Sequence, residues 1–439
     1  MQGSSCPQSI STKRQRIAEI SRQAPDLIWT TLAYRMDEEW MEEAYHRTRK
    51  GGAAGVDGMT SKEYAGESGE KLGANLRDLL KRARDGRYWA PPVRRVYIPK
   101  GEGKELRPLG IPTFEDKVLQ RAATMILEPV YEQDFLDCSY GFRPKRSAHE
   151  AIRRLHQGVM SMSGGWLIEI DIRKYFDTVD HGKLAEIVRE RIRDGEILRL
   201  IGKWLNAGVL EEGRKTYSET GTPQGGVISP MLANIYLHKV LDLWFEKEVK
   251  PRLQAQAFLV RYADDAVLCF ASERDARRVM EVLPKRFEKY GLKLHPDKTR
   301  LLEFKPPSFG ERETFDFLGW THYWGKTRKG QWVMKCKTMR QRMARALKRM
   351  NQWMKLVRHQ EIEKQQEALE DKLKGHYNYY GVSGNSKAIK SFYYQTERLW
   401  RKWLGRRSQK AKRNWKWFAQ LLQTCPLPQP RIKVRLYAA

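Results

Sequence analysis

Apolar residues recur along this chain at two different spacings. Trp40, Met41, Ala44 and Tyr45 share one face of a helix predicted over 37–50 and ended by Gly51-Gly52. Residues 114–130 keep helical spacing, and Ser147 is placed to cap a helix over 147–155. Residues 93–99 and 105–112 are instead rich in Val, Ile and Tyr around GEGK. They predict a β-hairpin with a glycine-rich tip that carries Lys100 and Arg107. Two short apolar runs predict buried strands, WLIEIDI at 166–172 and AFLVRYADDAVLCF at 257–270. The second is interrupted by Asp264-Asp265 and therefore reads as strand, turn, strand. Past the turn-rich 305–310, helical spacing returns over 338–357, 362–380 and 388–404, predicting a separate helical domain. PLPQPRI at 426–432 predicts an extended end.

Acids inside apolar strands need a reason, because a buried charge without a partner costs several kcal/mol. Adjacent aspartates at a turn are most often simply solvated. Asp171, closing its own apolar strand about 90 residues before Asp264, changes that reading. Hard divalent cations take oxygen ligands that converge from separate segments. Asp171 and Asp264 are therefore expected to bridge two ions, with the Ile172 carbonyl as a further oxygen.

Composition adds the partner. At 439 residues the chain has room for two or three domains, and 41% hydrophobic with 31% charged residues marks a globular protein rather than a disordered one. Lys and Arg number 82 against 53 acids, a formal +29 that calls for a polyanion, nucleic acid first and an anionic membrane surface second. Residues 321–439 alone hold 29 Lys and Arg against 6 acids, which makes the C-terminal part the main basic surface. Cys6, Cys138, Cys269, Cys336 and Cys425 are scattered without a CxxC pair, which points to a reducing compartment and away from a zinc site. With neither a signal-peptide core nor an apolar run of about 18 residues, the expected location is cytoplasmic.

Seven segments occur in a telling order: RPLGIPTFEDKVLQRA (107–122), YGFRPKRSAHEAI (140–152), EIDIRKYFDTVDH (169–181), GTPQGGVISPMLANIYL (221–237), YADD (262–265), GLKLHPDKT (291–299) and FDFLGW (315–320). Their sequence and spacing resemble the motif series of reverse transcriptases, most closely group II intron reverse transcriptase/maturases, over nearly the whole chain. The resemblance implies an α+β right-hand polymerase. Its fingers and palm, with an antiparallel sheet, would span 96–306 after an N-terminal extension and start of the fingers at 1–95. A helical thumb or maturase (X) domain follows at 307–405, where LKGHYNYYGV (373–382) carries the likeness, and a basic DNA-binding tail at 406–439. It also implies RNA-directed DNA synthesis by two-metal nucleotidyl transfer, with Mg²⁺ as the ion and Mn²⁺ as an option.

Residue by residue, Asp171 and Asp264 would be the metal ligands and Asp265 would support them, a hydrogen-bonding structural role being its alternative. Phe176 would be a steric gate against the ribose 2′-hydroxyl, in place of a plain core aromatic. Lys100 and Arg107 would grip the triphosphate, Gln224 between Pro223 and Gly225 would meet the incoming nucleotide and template, and Phe317, Leu318 and Gly319 would form the primer grip. His376 has no ligand partner at helical spacing and is expected to pack or touch RNA. The implied partners are a group II intron RNA template, a DNA primer or target and dNTPs, with no membrane, in a monomer or homodimer of a bacterial cytoplasm. The family's C-terminal nuclease, with its paired cysteines, is not matched before Ala439, so the expectation is a class C-like protein that does not cut its own DNA target. Two alternatives remain, a stand-alone domesticated or defence-associated reverse transcriptase and a non-catalytic RNA-binding splicing cofactor.

Overall fold

A computed structural model describes residues 9–99, 106–211, 214–216, 225–307, 313–408 and 414–436. Lys100 and Gln224 lie outside the described residues. The strands, in chain order, are β1 Val93–Pro99, β2 Leu106–Ile111, β3 Gly165–Ile170, β4 Val209–Glu211, β5 Arg214–Thr216, β6 Ala257–Tyr262, β7 Asp265–Phe270, β8 Arg300–Phe304, β9 Phe315–Phe317, β10 Trp320–Lys326 and β11 Trp332–Thr338. With the helices between them they make an α+β protein of two compact units.

The first unit comprises Met1–Arg146, Ile168–Leu268 and Arg274–Leu301. Its hairpin forms as the sequence predicts: β1 and β2 pair antiparallel, with Ile98 opposite Arg107 and Arg95 opposite Gly110. β4 joins β1 in parallel and β5 continues the sheet, in the order β2-β1-β4-β5. The helix Phe114–Asp134, capped by the Thr113 hydroxyl, buries Val118, Leu119, Ala122, Ala123 and Ile126. A second sheet has the order β6-β7-β3-β8, with all of β6 and residues 168–170, 265–268 and 300–301 of the other strands in this unit. β6 and β7 are buried almost throughout, as continuous apolar runs are when both faces of a strand are covered.

The second unit comprises Ser147–Leu167, Cys269–Glu273 and Leu302–Ala439. Ser147 caps the helix Ala148–Ser161 as its position suggests. The expected helices form as Arg340–Val357, Ile362–Tyr380 and Ser386–Leu404, around a core that includes Met350, Met354, Leu369, Leu373, Phe392 and Trp400. Residues 315–338 depart from a purely helical reading and form the antiparallel sheet β11-β10-β9. The reason is a period of two: Trp320, His322 and Trp324 on β10, and Met334, Cys336 and Thr338 on β11, point inward while the residues between them face out.

Candidate active site

β6 and β7 are joined by the two-residue turn Ala263-Asp264, leaving Asp264 half-buried and Asp265 exposed at the start of β7. Ala263 lies in the left-handed region, at φ 57°. β3 is the neighbour of β7 in the sheet, and Asp171 follows β3 directly with its side chain 36% exposed. The two carboxylates feel each other. Burial, above all, pushes the Asp264 carboxyl above the usual carboxylate range, and the Asp171 charge adds to the rise. Its own backbone N–H, Arg107 and Arg261 oppose the rise without cancelling it.

Asp171 is held by the segment 293–299. The His295 N–H donates to the Asp171 carbonyl at 2.8 Å and the Arg173 N–H to the Lys293 carbonyl at 2.8 Å. These two bonds flank the antiparallel bridge between Ile172 and Leu294, so the Ile172 carbonyl takes no part in that bridge. Thr299 Oγ1 lies 3.3 Å from the Asp171 nitrogen. Lys298 Nζ stands 3.4 Å from Asp171 Oδ2, but with both side chains this exposed the pair is weak and easily displaced.

Arg107 is exposed on β2 and close enough to Asp264 to act on its charge. Three residues along the same strand, Gly110 meets the glycine-rich loop. Gly225 has φ 119°, and a Cβ there would fall 2.7 Å from the Gly110 oxygen, so only glycine allows this approach. The exit of that loop is anchored from inside. The Val227 and Ile228 N–H groups donate to Gln120 Oε1 at 2.7 and 3.3 Å, and Gln120 Nε2 donates to Asp116 Oδ2 at 3.2 Å. Asp116, buried, also accepts from Trp204 Nε1 at 2.7 Å and from the Tyr88 hydroxyl. Phe176 is half-buried in the one-turn helix Tyr175–Thr178. It packs edge-on against Tyr175, whose hydroxyl donates to the Ala233 carbonyl at 2.8 Å.

Beneath the Ala263-Asp264 turn sits a group that the sequence reading passed over. Arg261, wholly buried on β6, uses all five of its N–H donors. Nε donates to Asp242 Oδ1 at 2.7 Å, one Nη2 hydrogen to Asp242 Oδ2 at 2.6 Å and the other to Ser139 Oγ at 2.8 Å. Nη1 donates to Asn234 Oδ1 at 2.9 Å and to the Ala263 carbonyl at 3.0 Å. Burial works against both charges, yet their mutual attraction holds the Asp242 carboxyl below its ordinary range and the guanidinium above its own, so the pair is ionised. The signal was available: an arginine inside AFLVRY breaks an apolar strand just as Asp171 does.

In the second unit, Leu318 and Gly319 form the β9–β10 turn with φ 51° and 85°, and Phe317 is opposite Trp320. The Tyr379 hydroxyl donates to the Leu318 carbonyl at 2.9 Å, and Trp320 stacks on the Tyr379 ring at 4.5 Å. His376 packs face to face on Phe392 at 3.7 Å, and burial lowers its pKa to about 4.

The donors around Asp264 are hard oxygens, which suits Mg²⁺ or Mn²⁺ and not zinc or copper. Among the described residues no three acids, histidines or cysteines close a cage of their own.

The sequence model of the family described as reverse transcriptase (RNA-dependent DNA polymerase) matches residues 98–322. The chain is 39% identical over 250 residues to the group II intron-encoded protein LtrA of Lactococcus lactis, an alignment covering 54% of this chain and 40% of that relative. It is 36% identical over 332 residues to protein YkfC of Escherichia coli, covering 66% of this chain and 84% of the relative. A mitochondrial nuclear intron maturase 2 of Arabidopsis thaliana is 27% identical over 177 residues, 31% of this chain and 24% of that one.

Proposed function

The chain belongs to the reverse transcriptase family, and on that premise we propose that it copies RNA into DNA from a DNA primer. Its template is the RNA of a group II intron, whose splicing it assists and which it copies during retrohoming. The observation that carries the polymerase reading is that Asp171 directly follows β3 and Asp264 directly precedes β7, its neighbour in one sheet, so two carboxylates stand at the ends of adjacent strands. The intron reading is supported by the likeness to an intron-encoded protein and to an intron maturase. It is supported too by the basic surface beyond residue 321.

Asp171 and Asp264, with the Ile172 carbonyl, hold the divalent cations, and Asp265 supports them. Once bound, two such cations supply activation of the primer 3′-hydroxyl and neutralisation of the leaving pyrophosphate. The remaining work falls to the chain. Arg107, joined by Lys100, grips the β- and γ-phosphates and orients the triphosphate. Phe176 lies under the sugar and excludes a 2′-hydroxyl. Gln224 meets the nucleotide and template. Phe317, Leu318 and Gly319 hold the primer end. Lys and Arg beyond residue 321 bind RNA phosphates, so affinity falls steeply with salt.

Sequencing the RNA that copurifies with the protein, and adding the protein to that RNA's precursor, tests the intron reading. Enrichment of one intron, spliced faster with the protein than without it, is the expected result. DNA synthesis without any enriched intron would leave a stand-alone reverse transcriptase, and faster splicing without DNA synthesis a splicing cofactor.

A further inference from the structure

Ala263, with a side chain, occupies the left-handed region at φ 57°, a conformation that persists only where the surroundings impose it. Besides the two strands it joins, those surroundings include the Arg261 guanidinium, which takes the Ala263 carbonyl at 3.0 Å.

The same guanidinium reaches a second loop through Asn234. Asn234 Oδ1 accepts from Arg261 Nη1, and Asn234 Nδ2 donates to the Gly141 carbonyl at 2.7 Å. Gly141 in turn abuts the Ala263 backbone. The main chain closes the arrangement, with the Arg261 N–H donating to the Cys138 carbonyl at 2.7 Å and the Tyr140 N–H to the Arg261 carbonyl at 2.9 Å. Asp242, which fixes the other side of the guanidinium, ends the π-helical turn His238–Asp242, a widened turn of the kind that recurs at functional sites.

Packing does not require this construction. A buried ion pair is commonly replaced by apolar side chains of similar volume with no loss of stability. Apolar groups, however, cannot direct two carbonyls. We propose that Arg261, held by Asp242 and working through Asn234, is a positioning residue of the polymerase reaction. It fixes the Ala263 and Gly141 carbonyls together, and so sets where the Asp264 carboxylate stands when catalysis begins. The proposal rests on the polymerase reading above.

The test uses the full chain in RNA-templated primer extension, with thermal unfolding and with hydrogen exchange of the peptide covering 257–270. In Arg261→Met/Asp242→Leu both charges are gone. The variant is expected to melt near the wild type, to exchange faster at the 262–265 turn, and to lose kcat by on the order of 10- to 100-fold, while template affinity stays put. Arg261→Lys keeps the ion pair but not the five-donor fork, so it folds even if the double variant does not. It is expected to lose kcat with the same local rise in exchange. Wild-type kcat in either folded variant would overturn the proposal and leave Arg261 a packing element. A wild-type chain that makes no DNA on RNA would instead remove the polymerase reading itself, an outcome seen before any variant is compared.

Discussion

Replacing Gly141 by alanine adds one methyl group at the closest backbone contact of the site. An ideal Cβ there falls 2.3 Å from the Ala263 nitrogen, 2.9 Å from the Tyr262 carbonyl carbon and 3.1 Å from the Ala263 Cα. All three are main-chain atoms, so no side chain is able to swing aside. Ordinary contact begins at 3.4 Å, so the 138–143 loop and the Ala263-Asp264 turn must part by about 1 Å. Misplacing a catalytic group by about 1 Å costs about 100-fold in rate, while overpacking of this kind costs about 1–3 kcal/mol of stability. Gly141→Ala is therefore expected to fold, to melt lower than the wild type and to incorporate a single nucleotide about 100-fold more slowly at saturating dNTP. Single-turnover extension beside a thermal melt measures both. A variant with lowered stability but unchanged kcat would refute the reasoning, because the strain would then have been absorbed away from Asp264.

Phe176→Ala should admit ribonucleotides, lowering the preference for dNTP over rNTP by about 10- to 200-fold. Competition between the two in primer extension reads this out, and unchanged discrimination would return Phe176 to the core. Burial pushes the Asp116 carboxyl from 3.8 up to about 6, against the bonds from Tyr88, Trp204 and Gln120. Between those values the folded chain keeps a proton that the unfolded chain has lost. Stability is thus fully present below about pH 4 and is lost as pH rises through about 6, by about 3 kcal/mol. Asp116→Asn, always neutral, should gain on the wild type across that window in urea midpoints, and a constant difference between the two would contradict the burial of a charge there.

Much of the site was legible because it violates local rules. Asp171 and the Asp264-Asp265 pair interrupt apolar runs in the sequence, and the structure sets them at strand ends, while the hairpin of β1 and β2 announces itself by two β-rich runs around a glycine tip. The helix over 362–380 forms at those bounds because its apolar positions keep a single period. Contacts between distant parts of the chain left no such trace. Arg261 meets Asp242 19 residues away and Ser139 122 residues away, and no periodicity links them. The parallel pairing of β1 with β4 joins Val93 to Val209 for the same unseen reason. The β9–β11 sheet was concealed by the basic, aromatic composition it shares with the helices that follow. Its period of two was nonetheless there to be counted.

The measurement that bears most directly on the central claim is extension of a DNA primer on an RNA template with dNTPs and Mg²⁺, comparing the wild type with Asp264→Ala, each paired with its RNA affinity. DNA product is expected from the wild type alone, with nearly equal RNA affinity in both, as follows if the carboxylates serve the metal while the basic surface serves the RNA. Product from both proteins, or loss of RNA binding in step with loss of synthesis, would contradict it.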